Sequence, residues 1–276
     1  MHREIIKANI VVFIASFCTL VIELIAGRIM APYIGVSLYT WTSIIGVVLA
    51  GISVGAYLGG LLADRYPTQT TLGVLLILSG LGAFAISPLT DYVGGSQWNT
   101  SLMVRILLIT TIIFFAPSCV LGMISPVVVK LTLSNLNKTG NIVGKIYAFS
   151  TLGSILGTFA TGFFLISWMG TRHLLFVMGA ILMVSGVLFG GFFVKKKTVI
   201  AVAVAFFIPL LWGFYGHAFK PPLDSNTYFY KESDYYTIKL KKKDESTKGL
   251  TLEALVLDHL IHSYTALEDP FHLEYE

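Results

Sequence analysis

The chain has 276 residues, of which 55% are hydrophobic and 12% charged, and its mean hydropathy is +0.78. A soluble domain carries about a quarter of its residues as charges, so a soluble globular fold is excluded. The apolar and aromatic content excludes a disordered chain. Cys18 and Cys119 both lie in long apolar runs, which excludes a secreted disulfide scaffold. The net charge of +4 conceals a division. Residues 1–216 hold four acids (Glu4, Glu23, Asp64, Asp91) against twelve lysines and arginines, whereas residues 217–276 hold eleven acids and seven lysines. The pattern predicts a mainly α membrane bundle over 1–216 and a short β-domain over 217–276.

A hydrocarbon core of about 30 Å needs roughly 20 apolar residues per helix. Seven stretches qualify: Asn9–Met30, Thr40–Leu62, Leu72–Leu89, Leu102–Leu121, Ile146–Trp168, His173–Val194 and Thr198–Phe214. The first is too long for a cleavable signal peptide and contains Glu23 and Arg28. Lysine and arginine stay on the cytoplasmic side. Arg3, Lys7, Arg65, Lys130, Lys138, Lys145 and Lys195–Lys197 fall in alternate segments, so the N-terminus is expected inside and the tail outside the cell membrane. Glycines recur every four residues at Gly51, Gly55 and Gly59, at Gly153 and Gly157, and at Gly186 and Gly190. Such ridges serve tight helix packing or the sliding surface of a transporter.

Three charges fall within the spans. Glu23 lies deep in the first, Arg28 follows five residues on, and Arg105 sits one turn into the fourth. All three belong to the outer half of the bilayer, where charges pair or line a cavity. The expectation is a salt bridge from Glu23 to Arg105, or to Arg28 after a small rearrangement. The functional alternative is a carboxylate that receives a cation or a proton. Asp64 and Arg65 close the second span on the cytoplasmic side, where they suit a neighbouring helix start and helix-end carbonyls, in a structural or gating role.

The tail reads as a three-stranded β-meander. Tyr236, Ile238 and Leu240 alternate with Tyr235, Thr237, Lys239 and Lys241, Leu250–Leu257 forms a second strand, and Leu260–Tyr264 a third. His259 and His262 would point to opposite faces of a strand, so no metal site is predicted there. Lys241–Lys243 is too short to argue for nucleic acid.

Gly59-Gly60-Leu61-Leu62-Ala63-Asp64-Arg65 resembles the loop motif of major facilitator transporters, and Gly153-Ser154-Ile155-Leu156-Gly157 is similar to their fifth helix. Ile22–Arg28, Ala31–Gly35 with Trp41, and Leu121–Pro126 resemble the membrane portion of spermidine synthase-like membrane proteins. Glu232–Ile238, Leu255-Val256-Leu257-Asp258 and Glu268–Glu276 resemble successive parts of the aminopropyltransferase domain that follows it. The resemblance implies a half-transporter-like bundle fused to the start of such a domain. It implies substrate contacts from Tyr236 and Tyr275, and decarboxylated S-adenosylmethionine as cosubstrate once the enzyme is complete. Tyr236 stands where the family usually has glutamine, and His259 where it has glycine. The family's glycine-rich loop and catalytic aspartate have no counterpart up to Glu276, so the chain is expected to be inactive alone and to bind no cofactor. Its expected partners are the lipid bilayer, a separate nucleotide-binding subunit, or a second copy. The last would complete a carrier, for which polyamines are the suited cations.

Overall fold

The computed structural model describes residues 2–96, 98–133, 139–191, 223–233, 235–243, 252–266 and 273–274. Among them are six helical runs long and apolar enough to cross a membrane. These are α1 (His2–Ile34), α2 (Leu38–Arg65), α3 (Gln69–Gly94), α4 (Leu102–Thr132), α5 (Thr139–Ala160) continued through a π turn (Thr161–Leu165) into α6 (Ile166–Met169), and α7 (Thr171–Phe189). The stretch Thr198–Phe214 lies outside the described residues. The first five helical runs outrun the predicted spans, whereas α7 starts two residues before the predicted His173 and ends at Phe189, short of the predicted Val194. α1 has 33 residues, about 50 Å at 1.5 Å per residue; hydropathy marks only the part that suits hydrocarbon.

Local chemistry sets the helix ends. Ser37 and Thr68 cap α2 and α3, accepting hydrogen bonds from the amides of Thr40 and Thr71. Gly170, at φ 72°, turns the chain from α6 into α7. In lipid a buried hydroxyl has no water to bond, and Thr90, Thr110, Thr132 and Thr161 each donate to the carbonyl four residues back.

Three helix pairs form the bundle, and glycines join them. On α2, Gly51, Gly55 and Gly59 lie against Ser118, Cys119 and Met123 of α4. Gly153 and Gly157 of α5 lie against Phe13 and Phe17 of α1, and Gly80 of α3 against Gly179 and Met183 of α7. The Gly51–Gly59 and Gly153–Gly157 ridges, with Gly186 against Gly73 and Ile77, are therefore packing surfaces within the bundle. The α1–α5 and α2–α4 pairs run parallel and α3–α7 antiparallel. One end of the bundle carries Lys7, Arg65, Lys130 and Lys145; the opposite end carries Arg28, Arg105 and Arg172.

The sheet is an antiparallel meander in the order β1 (Thr227–Glu232), β2 (Thr237–Lys243), β3 (Leu252–Leu257), β4 (Leu260–Ala266) and the two-residue β5 (Leu273–Glu274). The predicted three strands are extended at both ends. The predicted first strand is β2 with its start corrected from Tyr235 to Thr237: Tyr235 and Tyr236 belong to the turn from β1 into β2, where Ser233 Oγ donates to the Tyr236 carbonyl. Strand alternation is clean on β3, which buries Leu252, Ala254 and Val256, not on β2.

A Cβ on Gly55 would overlap the Cys119 carbonyl oxygen, whereas one on Gly60 would meet nothing within 4 Å. Gly55→Ala is expected to destabilise the bundle by about 1–3 kcal/mol, the range for overpacking, and Gly60→Ala to be neutral. Unfolding of the two purified variants followed by circular dichroism checks the contrast.

Candidate functional site

The pairing of helices leaves a gap. α1 gives its closest packing to α5, and α2 to α4, while α4 and α5 meet only sparingly. Between the two pairs lies a cavity of about 680 Å³. Its wall carries the hydroxyls of Ser16, Thr19, Ser125, Ser150 and Ser154 and the phenol of Tyr147 among apolar groups such as Leu20, Ile52 and Pro126. Ser16 and Ser150 hydrogen bond to each other across α1 and α5 at 2.6 Å. Toward the basic end, Lys130 donates to Asp64 at 2.6 Å, and both line the cavity. Asp64 thus ties α2 to α4. Arg65 does not join it; its guanidinium lies over the Tyr66 ring, 5.5 Å from the centroid.

The predicted salt bridge of Glu23 is not formed. Among the described residues the ion pairs are Lys7–Glu4, Lys130–Asp64, Arg172–Asp91 and Lys241–Asp224. Glu23 and Arg105 are both half-buried, and the Nε of Arg105 has no hydrogen-bond partner among the described residues. α4 spends its close packing on α2 through the glycine ridge, so Arg105 is not brought to α1. Arg28 is engaged elsewhere. Its guanidinium donates to the carbonyl of Ser233 at 2.6 Å and to that of Tyr235, both in the β1–β2 turn.

The strongest polar cluster is at the end opposite the lysines. Arg172, 4% exposed, donates to both carboxylate oxygens of Asp91, at 2.5 and 2.8 Å, and to Ser87 at 2.9 Å. Tyr33 of α1 donates to the same carboxylate at 2.6 Å. Three helices are thereby joined. One residue earlier, the Thr171 amide and hydroxyl donate to Glu232 of β1, at 2.9 and 3.1 Å, and Tyr230 donates to Glu232 at 3.0 Å. Glu232 therefore caps the N-terminus of α7 from the sheet. Burial, with the Glu232 carboxylate beside it, holds the Tyr230 phenol well above its ordinary pKa. Burial, with Lys241 nearby, holds the Lys239 ammonium below its own.

Sequence reasoning missed this cluster. A signal was present. Asp91 is one of only four acids in residues 1–216, and the predicted topology puts it at the same end as Arg172. Of the tail residues singled out, Tyr236 is half-exposed in the β1–β2 turn; Tyr275 lies outside the described residues. Asp258 follows β3 at φ 54° and accepts from the Thr237 amide at 2.8 Å, which pins the β3–β4 turn to β2. Compared with family models, with curated proteins and with solved structures, the chain matches none.

Breaking a buried ion pair by removing one partner costs about 3–5 kcal/mol, because the other charge is left uncompensated. Asp91→Asn and Arg172→Met are each expected to destabilise the protein by that amount, and the double variant by clearly less than the sum. A double-mutant cycle on thermal or denaturant unfolding measures the difference.

Proposed function

We propose that this chain is a multi-pass membrane protein that binds and moves a small cationic solute by way of the cavity between the α1–α5 and α2–α4 pairs. The observation that carries the reading is the cavity itself, about 680 Å³ with hydroxyls in its wall and an ion pair toward the basic end. That volume lies in the range of small-molecule sites, about 300–1,000 Å³. Glu23 supplies the charge preference. It follows Thr19 by four residues and Ser16 by seven, so it lies on the same face of α1, one turn beyond the cavity wall, whose last α1 residue is Leu20. No cationic side chain among the described residues pairs with it. A carboxylate at such depth marks an ion or substrate path, and an amine cation such as a polyamine complements it. A bundle of this size is half of a twelve-helix carrier, whose site lies between two halves; a second copy would complete it.

The orientation belongs to the same reading: N-terminus cytoplasmic, sheet outside, seven crossings. α7 ends at the basic end, while Glu232 meets Thr171 at the other. By its sequence the apolar stretch Thr198–Phe214 is long enough to supply the seventh crossing of this reading.

One labelling experiment tests cavity, charge and orientation together. With Cys18 and Cys119 replaced by alanine, Ser154→Cys is expected to react with a membrane-impermeant maleimide in inside-out vesicles but not in intact cells. Spermidine should slow the reaction. Adding Glu23→Gln should abolish that protection at unchanged thermal stability. A residue 154 that no reagent reaches from either side would sink the reading.

A second reading rests on the sheet. The strand Leu252–Leu257 followed by the Asp258 turn is what the resemblance to spermidine synthase-like proteins implies for this segment. In that reading the bundle anchors an aminopropyltransferase-like assembly, with the cosubstrate site supplied by a nucleotide-binding partner. Purified residues 1–276 are then expected to give no aminopropyl transfer and no saturable binding of decarboxylated S-adenosylmethionine by calorimetry. Turnover that persists after removal of soluble synthase would overturn it.

A further inference from the structure

The two ends of the sheet differ in chemistry. The β1–β2 turn and the β3–β4 turn lie side by side at one end, because Asp258 and Thr237 exchange hydrogen bonds. That end exposes large side chains: Tyr235 is 77% exposed, Tyr236 50%, Leu260 73% and Ile261 51%. At the opposite end β2 finishes in Lys241-Lys242-Lys243. A water-facing turn has no physical reason to gather exposed apolar groups on one rim.

The depth of the apolar rim is set by its contacts. Arg28 holds the carbonyls of Ser233 and Tyr235. It precedes the last residue of α1, Ile34, by six positions, about 9 Å along the helix. At the same level the Trp41 ring of α2 packs against Gly27, and Trp168 is 77% exposed at the neighbouring end of the α5–α6 run. Indoles and phenols gather where hydrocarbon meets headgroups. The apolar span of α1 runs to Met30, so the turn held by Arg28 reaches the boundary of the hydrocarbon.

We propose that this rim is seated in the headgroup layer of the membrane the bundle spans, with Tyr235, Tyr236, Leu260 and Ile261 as its interfacial anchor. The occupant is lipid, because the level of Arg28 and Trp41 puts the rim against the bilayer surface. The polar rim faces away, into water.

The test uses the full chain in phosphatidylcholine–phosphatidylglycerol vesicles, with Cys18→Ala and Cys119→Ala as background. An environment-sensitive fluorophore is placed at Tyr235→Cys, at Leu260→Cys and, for the polar rim, at Lys242→Cys. These residues point outward, so the fold tolerates the change; the circular dichroism of each labelled protein verifies it. The probes at 235 and 260 are expected to emit to the blue of the probe at 242. They should be quenched by lipids brominated near the headgroup, and severalfold less than the probe at 242 by aqueous iodide. Equal iodide quenching at all three positions would overturn the proposal. So would shielding that vanishes as the protein is diluted in lipid, which would assign the rim to a second copy.

Discussion

A guanidinium withdrawn from water has to be met by a carboxylate, and one end of this bundle is arranged around that requirement. Arg172 is the second residue of α7, where the helix dipole disfavours a cation. Two carboxylates offset the cost. Asp91 reaches Arg172 from α3 and Glu232 reaches the helix N-terminus from the sheet. Gly170 makes the second approach feasible, since a Cβ there would stand 2.9 Å from a Glu232 carboxylate oxygen. Tyr33, Ser87 and Tyr230 fill the remaining hydrogen-bonding positions. The end of α1, the end of α3, the start of α7 and the first strand of the sheet are all located by this one cluster.

The two ends of the bundle solve different problems. Where backbones meet across glycine, helices close to the point that another atom has no room, as between Gly55 and Cys119. α4 uses Gly122 in the same way toward Ile52 of α2, and this contact holds α4 on α2 and away from α5. The space left over is the cavity, and its mouth-side charges are paired across α2 and α4 rather than toward α5. The cavity is thus the complement of the glycine packing: the residues that fix three helix pairs also determine where no pair forms.

Hydropathy made the first six spans legible because each needs only a run of apolar residues. Basic residues ordered the helix ends by the same arithmetic. The glycine ridges were legible as packing surfaces, although not which helix each would meet. Long-range polar pairing was not legible. Glu23 and Arg105 lie at matched heights in antiparallel spans, and that argument predicted a pair. Height is one coordinate of three; the azimuth of α4 is set by its glycine contacts with α2, a tertiary fact. In the tail, alternation over Tyr235–Lys241 suggested a strand. That strand forms from Thr237 onward, but at Tyr235 and Tyr236 the Ser233 side chain bonds the Tyr236 backbone and closes a turn, the local competition that serine habitually brings to extended chain.

The division of composition between residues 1–216 and 217–276 is not a division of mechanics. Among the described residues, the apolar side chains the sheet buries are few: Leu252, Ala254, Val256, Tyr264 and Ala266. A sheet with so little to bury is marginal by itself. What holds it is polar and external, namely Glu232 on α7 and the turn carbonyls on Arg28. Both contacts are part-buried, where water competes less than it does at an open surface and a hydrogen bond to a charged group keeps more of its strength. The order of dependence therefore runs from the Asp91–Arg172 pair to the start of α7, from there to Glu232, and only then to the sheet. A loss at the pair is a loss to the sheet, while a change in the far strands leaves the bundle as it was.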